Sequence, residues 1–543
     1  MPLGQIKSKK IKKLYLLVFI LFACSKENKL SELDEYINSS LSDWNLPGLA
    51  VAVVLEDKII FAEGFGVKEL GKNDRIDEYT NFQIGSLTKG FAAAAIATLV
   101  DDGSVNWDDP VNYHLPWFKL KDINLSNQIT IRDLLAHISG MPAHAYPALE
   151  ITNGLEVAKR AQLLDNQGPL RKEYKYSNQG YGLTGLLVEE VTQQSWGDWV
   201  KESLFRPLKM TNSYTSPYDV WDSIYVAPTF IGTAPKKNVG ISNIPKFNVA
   251  MPHGIDRNNK RKILPWQSYD NLQAAGSMVS NVMDMANWIR MHLNEGEFEN
   301  KPVISKSNLM EMHTPQIETA GYFLFADSTE KVRWRIGDII ASPIDNYGMG
   351  WSISTFQGED YLYHGGGIFG FPAFASLLPN KKAGVVVLTN GSLWTPYYPH
   401  QEITAYVYEK LFDLESKDWH SIVMAQTEEI LGRMNKYFEN RELERKPNTK
   451  PTLPMKHYIG TYGSPLAGPF EIKFTDGVLR LEFHGVGAFS GEIEHWYDDT
   501  FLLYYDGGDG QHYKSSLITF KLKNKKRVIG IDLGAFGEYH RIL

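Results

Sequence analysis

The feature that most constrains this chain is a break at Arg445-Lys446-Pro447-Asn448-Thr449-Lys450-Pro451-Thr452-Leu453-Pro454. Three prolines among charged residues continue neither a helix nor a sheet ladder, so two separate folding units must lie on either side. Beyond the break the texture is that of short strands. Phe470, Ile472 and Phe474 alternate with polar neighbours, Asp476-Gly477 is a turn, and Leu479, Leu481 and Phe483 alternate again. Phe501 to Tyr505, Leu517 to Leu522 and Val528 to Leu533 follow at similar spacing, the rhythm of a small β-sandwich or barrel.

Before the break the pattern is mixed. Leu30 to Leu41 has helical periodicity. Gly48 to Leu55 and Lys58 to Gly66 are apolar, β-branched runs joined by Glu56-Asp57, which reads as a hairpin. Helical signals dominate from Ser86 to about Trp199 and return at Asp284 to Met291, with Thr130 as a cap ahead of a periodic face within Ile129 to His137. Strands reappear at Tyr347 to Ile353, Gly370 to Leu378 and Ala383 to Thr389, and helices at Glu402 to Leu414 and Trp419 to Arg441. Helices between early and late strands imply an α/β domain whose sheet uses both ends of the unit.

The N-terminus has a different character. Lys7, Lys9, Lys10, Lys12 and Lys13 precede the apolar run Leu14 to Ala23, which is too short to span a bilayer as a helix. A basic start and a short apolar core make a secretory signal. The run ends at Cys24, the only cysteine in the 543 residues, so no intrachain disulfide can form. This end resembles a bacterial lipoprotein signal, which implies lipidation of Cys24 and an envelope protein anchored in a membrane. Net charge is −7, from 56 basic and 63 acidic residues, so no strong field points to nucleic acid. The 14 histidines show no His-Glu-x-x-His spacing, so neither a metal nor another cofactor is called for.

Ser86-Leu87-Thr88-Lys89 opens an Ala-rich apolar stretch. Residues three apart on a helix share a face, so the hydroxyl and the amine can meet. Such a pair is a candidate activated nucleophile. The pattern alone is cheap: Ser328-Thr329-Glu330-Lys331 fits it too, and Tyr36-Ile37-Asn38 and Tyr269-Asp270-Asn271 mimic a Tyr-x-Asn element. Order and flanks single out one set. Tyr176-Ser177-Asn178 follows Ser86 by about ninety residues, and Tyr363-His364-Gly365-Gly366-Gly367 comes near the end of the first unit, where its glycines read as a turn just before the strand Gly370 to Leu378.

Together with Leu134 to Pro142, Tyr347-Gly348-Met349-Gly350-Trp351 and Val387 to Asn390, these elements resemble the serine β-lactamase and penicillin-binding-protein superfamily. The resemblance covers about residues 30 to 415 and points to the class C, esterase and D-aminopeptidase-like branch. It implies an antiparallel sheet flanked by helices, with an added helical region. The segment after Pro454 resembles the lipocalin-like β-domain of some members, an archaeal serine peptidase among them. The expected organisation is a signal over 1–24, a hydrolase domain over 25–417, a helical and Pro-rich linker over 418–454 and a β-domain over 455–543.

The resemblance also assigns roles. Ser86 attacks an acyl carbonyl, and either Lys89 or Tyr176 takes its proton. Asn178 hydrogen-bonds Lys89 or a substrate amide. The backbone N–H groups of Ser86 and Gly367 form an oxyanion hole beside Gly366. His364 lines the site. His137 and Ser139 hold a loop. Many relatives place a lysine where His364 stands and a hydroxyl where Gly365 stands; histidine is mostly neutral at pH 7. Both changes disfavour penicillin turnover and suit a peptidase, amidase or esterase acting on a small or peptide substrate. A weak β-lactamase and a non-hydrolytic penicillin-binding sensor are the alternatives, and self-association is left open.

Overall fold

The computed structural model describes residues 28–141, 154–163, 165–166, 168–220, 248–255, 260–264, 266–319, 345–368, 370–392, 399–466, 468–475, 477–483, 490–505, 515–534 and 537–542. Cys24 and the Ser328/Lys331 pair lie outside the described residues.

The first unit is built on an antiparallel sheet of eight strands. In chain order they are β1 (Gly48–Leu55), β2 (Lys58–Gly66), β3 (Ile317–Thr319), β4 (Asp345–Tyr347), β5 (Ser352–Phe356), β6 (Glu359–Ile368), β7 (Phe371–Leu378) and β8 (Ala383–Thr389). Their spatial order is β2-β1-β8-β7-β6-β5-β4-β3, so the first hairpin is completed by the last strand. All eight residues of β1 are buried. Ala50, Ala52 and Val54 enter one apolar core, and Leu49, Val51, Val53 and Leu55 enter another. A strand without polar alternation is a strand covered on both faces.

One face carries helices α1 (Leu33–Asp43), α5 (Pro399–Phe412) and the start of α6 (Trp419–Leu443). The other carries α2 (Thr88–Asp101), α3 (Asn178–Thr192) and α4 (Val282–Leu293). Every residue of α2 from Thr88 to Ala97 is buried. A helix that is apolar all round belongs in the middle of a core, and here Phe91 stacks on Trp288 of α4 with ring centroids 3.9 Å apart. Thr130 caps the helix Ile131–Leu135 in a full capping box with Asp133.

Two strand expectations change. Tyr347 to Ile353 is not one strand. The chain leaves the sheet between Tyr347 and Ser352, and Gly350 takes φ +81° where its backbone packs on Gly90. Conversely, His364 to Gly367 is not a turn before a strand but part of β6.

After α6 the second unit is a closed antiparallel barrel of eight strands: β9 (Gly460–Ser464), β10 (Gly468–Thr475), β11 (Val478–Phe483), β12 (Gly491–Tyr497), β13 (Thr500–Tyr505), β14 (Ser515–Lys523), β15 (Arg527–Asp532) and β16 (Glu538–Arg541). Closure removes the exposed edges that a sandwich of the same strands would keep. Tyr458, Tyr462, Phe470, Phe501 and Phe520 pack inside, with ring centroids 4.8–5.9 Å apart.

Candidate active site

Ser86 sits in the single 3-10 turn Gly85–Leu87 that leads into α2. From Thr80 to Ala97 it is the one residue that is not buried. The turn therefore lifts one hydroxyl out of an otherwise closed segment. Lys89 lies one turn further, fully buried, with Nζ 3.0 Å from Ser86 Oγ.

The lysine has two other partners. Nζ is 2.8 Å from Asn178 Oδ1 and 2.8 Å from the carbonyl of Ala275. It also lies 4.6 Å from the centre of the Tyr176 ring and 5.4 Å from that of Tyr181. Burial holds its ammonium form well below the ordinary lysine range. Two of its three polar partners are carbonyl oxygens, which can only accept. As an ammonium, Nζ donates to all three partners; once deprotonated it keeps two hydrogens for the carbonyls and its lone pair can face the Ser86 hydroxyl. Tyr176 donates from its own hydroxyl to Ser86 Oγ at 2.7 Å. Ser86 Oγ thus stands between the Tyr176 hydroxyl and the Lys89 amine.

Tyr176 and Asn178 are placed from both sides. Ser177 caps α3 by accepting from the N–H of Gly180, which sets Asn178 as the first helical residue. His137, at φ +60°, grips the same segment twice: its carbonyl accepts from the N–H of Lys175, and its Nδ1 accepts from the N–H of Ser177. Its ring packs on Tyr176 with centroids 4.3 Å apart. Burial and the nearby Lys89 hold His137 well below its usual range, so it is neutral and carries its proton on Nε2. His137 therefore holds a loop, as its sequence neighbourhood implied. Ser139 accepts from the N–H of Met141 and does the same on a smaller scale.

The glycine strand forms the opposite wall. Beyond Tyr363, β6 is paired with β7 only, because β5 begins at Ser352 opposite Tyr363. A Cβ on Gly366 would stand 2.0 Å from the carbonyl oxygen of Ile84, and one on Gly85 would stand 2.6 Å from the nitrogen of Gly367. Glycine at both places lets the Ser86 turn lie directly against the strand. The backbones of Ser86 and Gly367, expected to supply the oxyanion pair, thus belong to segments in contact. Positions 365 and 367 face open space.

His364 does not offer a charge to this space. It is buried, with Nδ1 donating to the carbonyl of Gly365 at 2.6 Å and Nε2 accepting from the Tyr347 hydroxyl at 3.0 Å. Burial, helped by Lys89, pushes it down to about 3. Sequence reasoning missed the Ala275 carbonyl, which no side-chain pattern can signal. It also missed Tyr347 as the partner of His364. Among the described residues no group of three or more metal-ligating side chains comes together.

A family model described as Beta-lactamase matches residues 33–405. The chain belongs to the beta-lactamase family. A second model, a domain of unknown function designated DUF3471, matches residues 444–539 and so takes in the barrel up to its last strand. This beta-lactamase-family chain is 26% identical over 452 residues to the unguisins hydrolase ungD' of Aspergillus campestris, covering 79% of this chain and 75% of that protein. It is 26% identical over 370 residues to protein flp of Staphylococcus aureus, with 66% of this chain and 62% of flp aligned. The fold matches that of the octameric penicillin-binding protein homologue from Pyrococcus abyssi, with a TM-score of 0.58 and 22% identity over 94% of this chain and 99% of that one.

Proposed function

We propose that this member of the beta-lactamase family is a serine hydrolase that works through an acyl-enzyme on Ser86 and acts on amide, peptide or ester substrates. One observation carries the reading: the one hydroxyl that is not buried on an otherwise closed segment lies 3.0 Å from a buried amine and 2.7 Å from a tyrosine hydroxyl. In acylation, Lys89 Nζ takes the proton of Ser86 as Oγ bonds to the acyl carbon. Charge gathers on the carbonyl oxygen, where the N–H groups of Ser86 and Gly367 can meet it. Tyr176 then gives its proton to the leaving amine or alkoxide and recovers one from Lys89 in the same hydrogen-bonded cluster. Deacylation runs the sequence backwards with water as the nucleophile.

Substrate class follows from the wall opposite Ser86. The position where many relatives carry a lysine holds a neutral, buried histidine, and Gly365 adds no hydroxyl. A substrate carboxylate finds no cation from β6, so the reading favours neutral peptides, amides and esters over penicillins. The relative named an unguisins hydrolase supports a hydrolytic rather than a sensing role. A turnover screen on nitrophenyl esters, D- and L-aminoacyl amides and nitrocefin tests this directly. Esters or amides should turn over well ahead of nitrocefin; nitrocefin as the best substrate would overturn the assignment.

A further inference from the structure

The barrel touches the segment that leads into Tyr176. Between the His137 loop and Tyr176 the chain passes through the helix Gly154–Lys159 and the 3-10 turn Arg160–Leu163. The guanidinium of Arg160 donates from one nitrogen to the carbonyls of Pro465 and Leu466, at 3.0 and 3.3 Å. Those carbonyls lie in the loop joining β9 to β10, the first hairpin of the barrel. Glu156, one turn back, fixes the guanidinium from the other side at 3.0 Å.

From Arg160 the contacts run inward. Val157 is fully buried, and its carbonyl accepts from Nε2 of Gln179 at 3.2 Å. Gln179 is the residue after Asn178, whose Oδ1 holds Lys89. In the other direction along the chain, Arg171 forms a two-pronged ion pair with Asp133, and its N–H donates to Ile138. The described residues between Gly154 and Tyr176 are thus pinned at the His137 loop, at α3 and at the barrel.

A second attachment fixes where the barrel can be. At the start of α6, Trp419 donates to Glu409, and His420 pairs with the buried Glu402. Past its end, Arg445 lies 4.5 Å from the Trp496 ring and donates to the carbonyls of His495 and Trp496. The helix is held to the catalytic unit at one end and its exit to the barrel at the other.

We infer that the barrel acts on its own chain's active site as a positioning element, with Arg160 as the positioning residue that couples the β9–β10 hairpin to Tyr176 and Asn178. The inference rests on the serine-hydrolase reading. Arg160 touches no reacting atom; it holds the segment that ends in the tyrosine. Small displacements of groups that must meet a reacting atom cost up to about a hundredfold in rate.

The test uses the full chain and counts reactive sites with a fluorophosphonate before measuring turnover. Per labelled site, Arg160→Ala should acylate about tenfold more slowly on a small nitrophenyl ester. The loss should lie in kcat with KM little changed, and Arg160→Lys should recover part of it. A merely structural role would lower the number of labelled sites and leave the rate per site intact, which would overturn the inference. As a second arm, Arg160→Cys with Pro465→Cys, made with Cys24→Ser so that no other thiol is present, should be joined within one chain by a flexible bismaleimide long enough to replace the arginine side chain. A product that links two chains, or no product, would also overturn it. A wild-type protein that takes no label at Ser86 would instead sink the hydrolase reading.

Discussion

Lys89 is the residue on which the chemistry turns. A side chain that can carry a charge is placed in a helix whose neighbours are all buried, and no carboxylate among the described residues supplies a counter-charge beside it. Burial disfavours the ammonium form and so favours the neutral amine that the proposed acylation step needs as its base. The sign is definite: protonation abolishes the base, so acylation rises with pH on a limb far below the ordinary lysine range. Tyr176→Phe removes the donor at 2.7 Å, and Lys89→Ala removes the base. Each should lower the acylation rate by about 10²–10⁴-fold, as measured by stopped-flow labelling of correctly folded protein. Ser86, Lys89, Tyr176 and Asn178 were legible because side-chain identity and order carry the signal. The Ala275 carbonyl was not, because a backbone acceptor leaves no trace in residue type.

At the scale of the element, β6 is where sequence and structure part most clearly. Three consecutive glycines normally weaken a strand, so His364-Gly365-Gly366-Gly367 reads as a turn. The structure keeps them extended because the strand must lie flush with the Ser86 turn, and a side chain at 366 would occupy the place of the Ile84 carbonyl. The two neighbouring glycines make a paired test. Gly366→Ala forces Ile84 or the strand to move, and should cost about 1–3 kcal/mol of stability as overpacking does. It should also cost most of the acylation rate. Gly365→Ala meets open space and should leave both within about twofold. Thermal melts and labelling rates of the two variants check this; equal behaviour would contradict the close approach. By contrast, the β1–β2 hairpin and the Thr130 cap were legible, because both are set by local turn and cap chemistry.

At the scale of the molecule, the fold buries more titratable groups than catalysis needs. His400 at the start of α5 and His364 are each pushed down to about 3, and His313 to about 4, by burial. An unfolded chain takes up a proton on each near pH 6.5, whereas the folded chain refuses it until much lower pH. Their stabilising effect is complete above about pH 6.5 and is lost as pH falls towards their folded values. Buried carboxylates such as Asp270, pushed up to about 6, act in the opposite direction, so a single histidine must be isolated. Replacing His400 with Gln should therefore gain on the wild type as pH falls from 6.5 to 4.5. The slope should be about 1.4 kcal/mol per pH unit in chemical denaturation. A pH-independent difference would show that His400 titrates alike in both states. The two-unit architecture was legible at this scale because three prolines mark it. The sheet order was not, since pairing of β1 with β8 joins residues more than three hundred positions apart.

The proposed acyl-enzyme chemistry stands or falls on Ser86. Intact-mass analysis after treatment with a fluorophosphonate, followed by peptide mapping, tests it most directly. One adduct per chain is expected, on the peptide that contains Ser86, and Ser86→Ala should abolish it. An adduct that survives this substitution, or that maps elsewhere, would contradict the claim that this hydroxyl is the nucleophile.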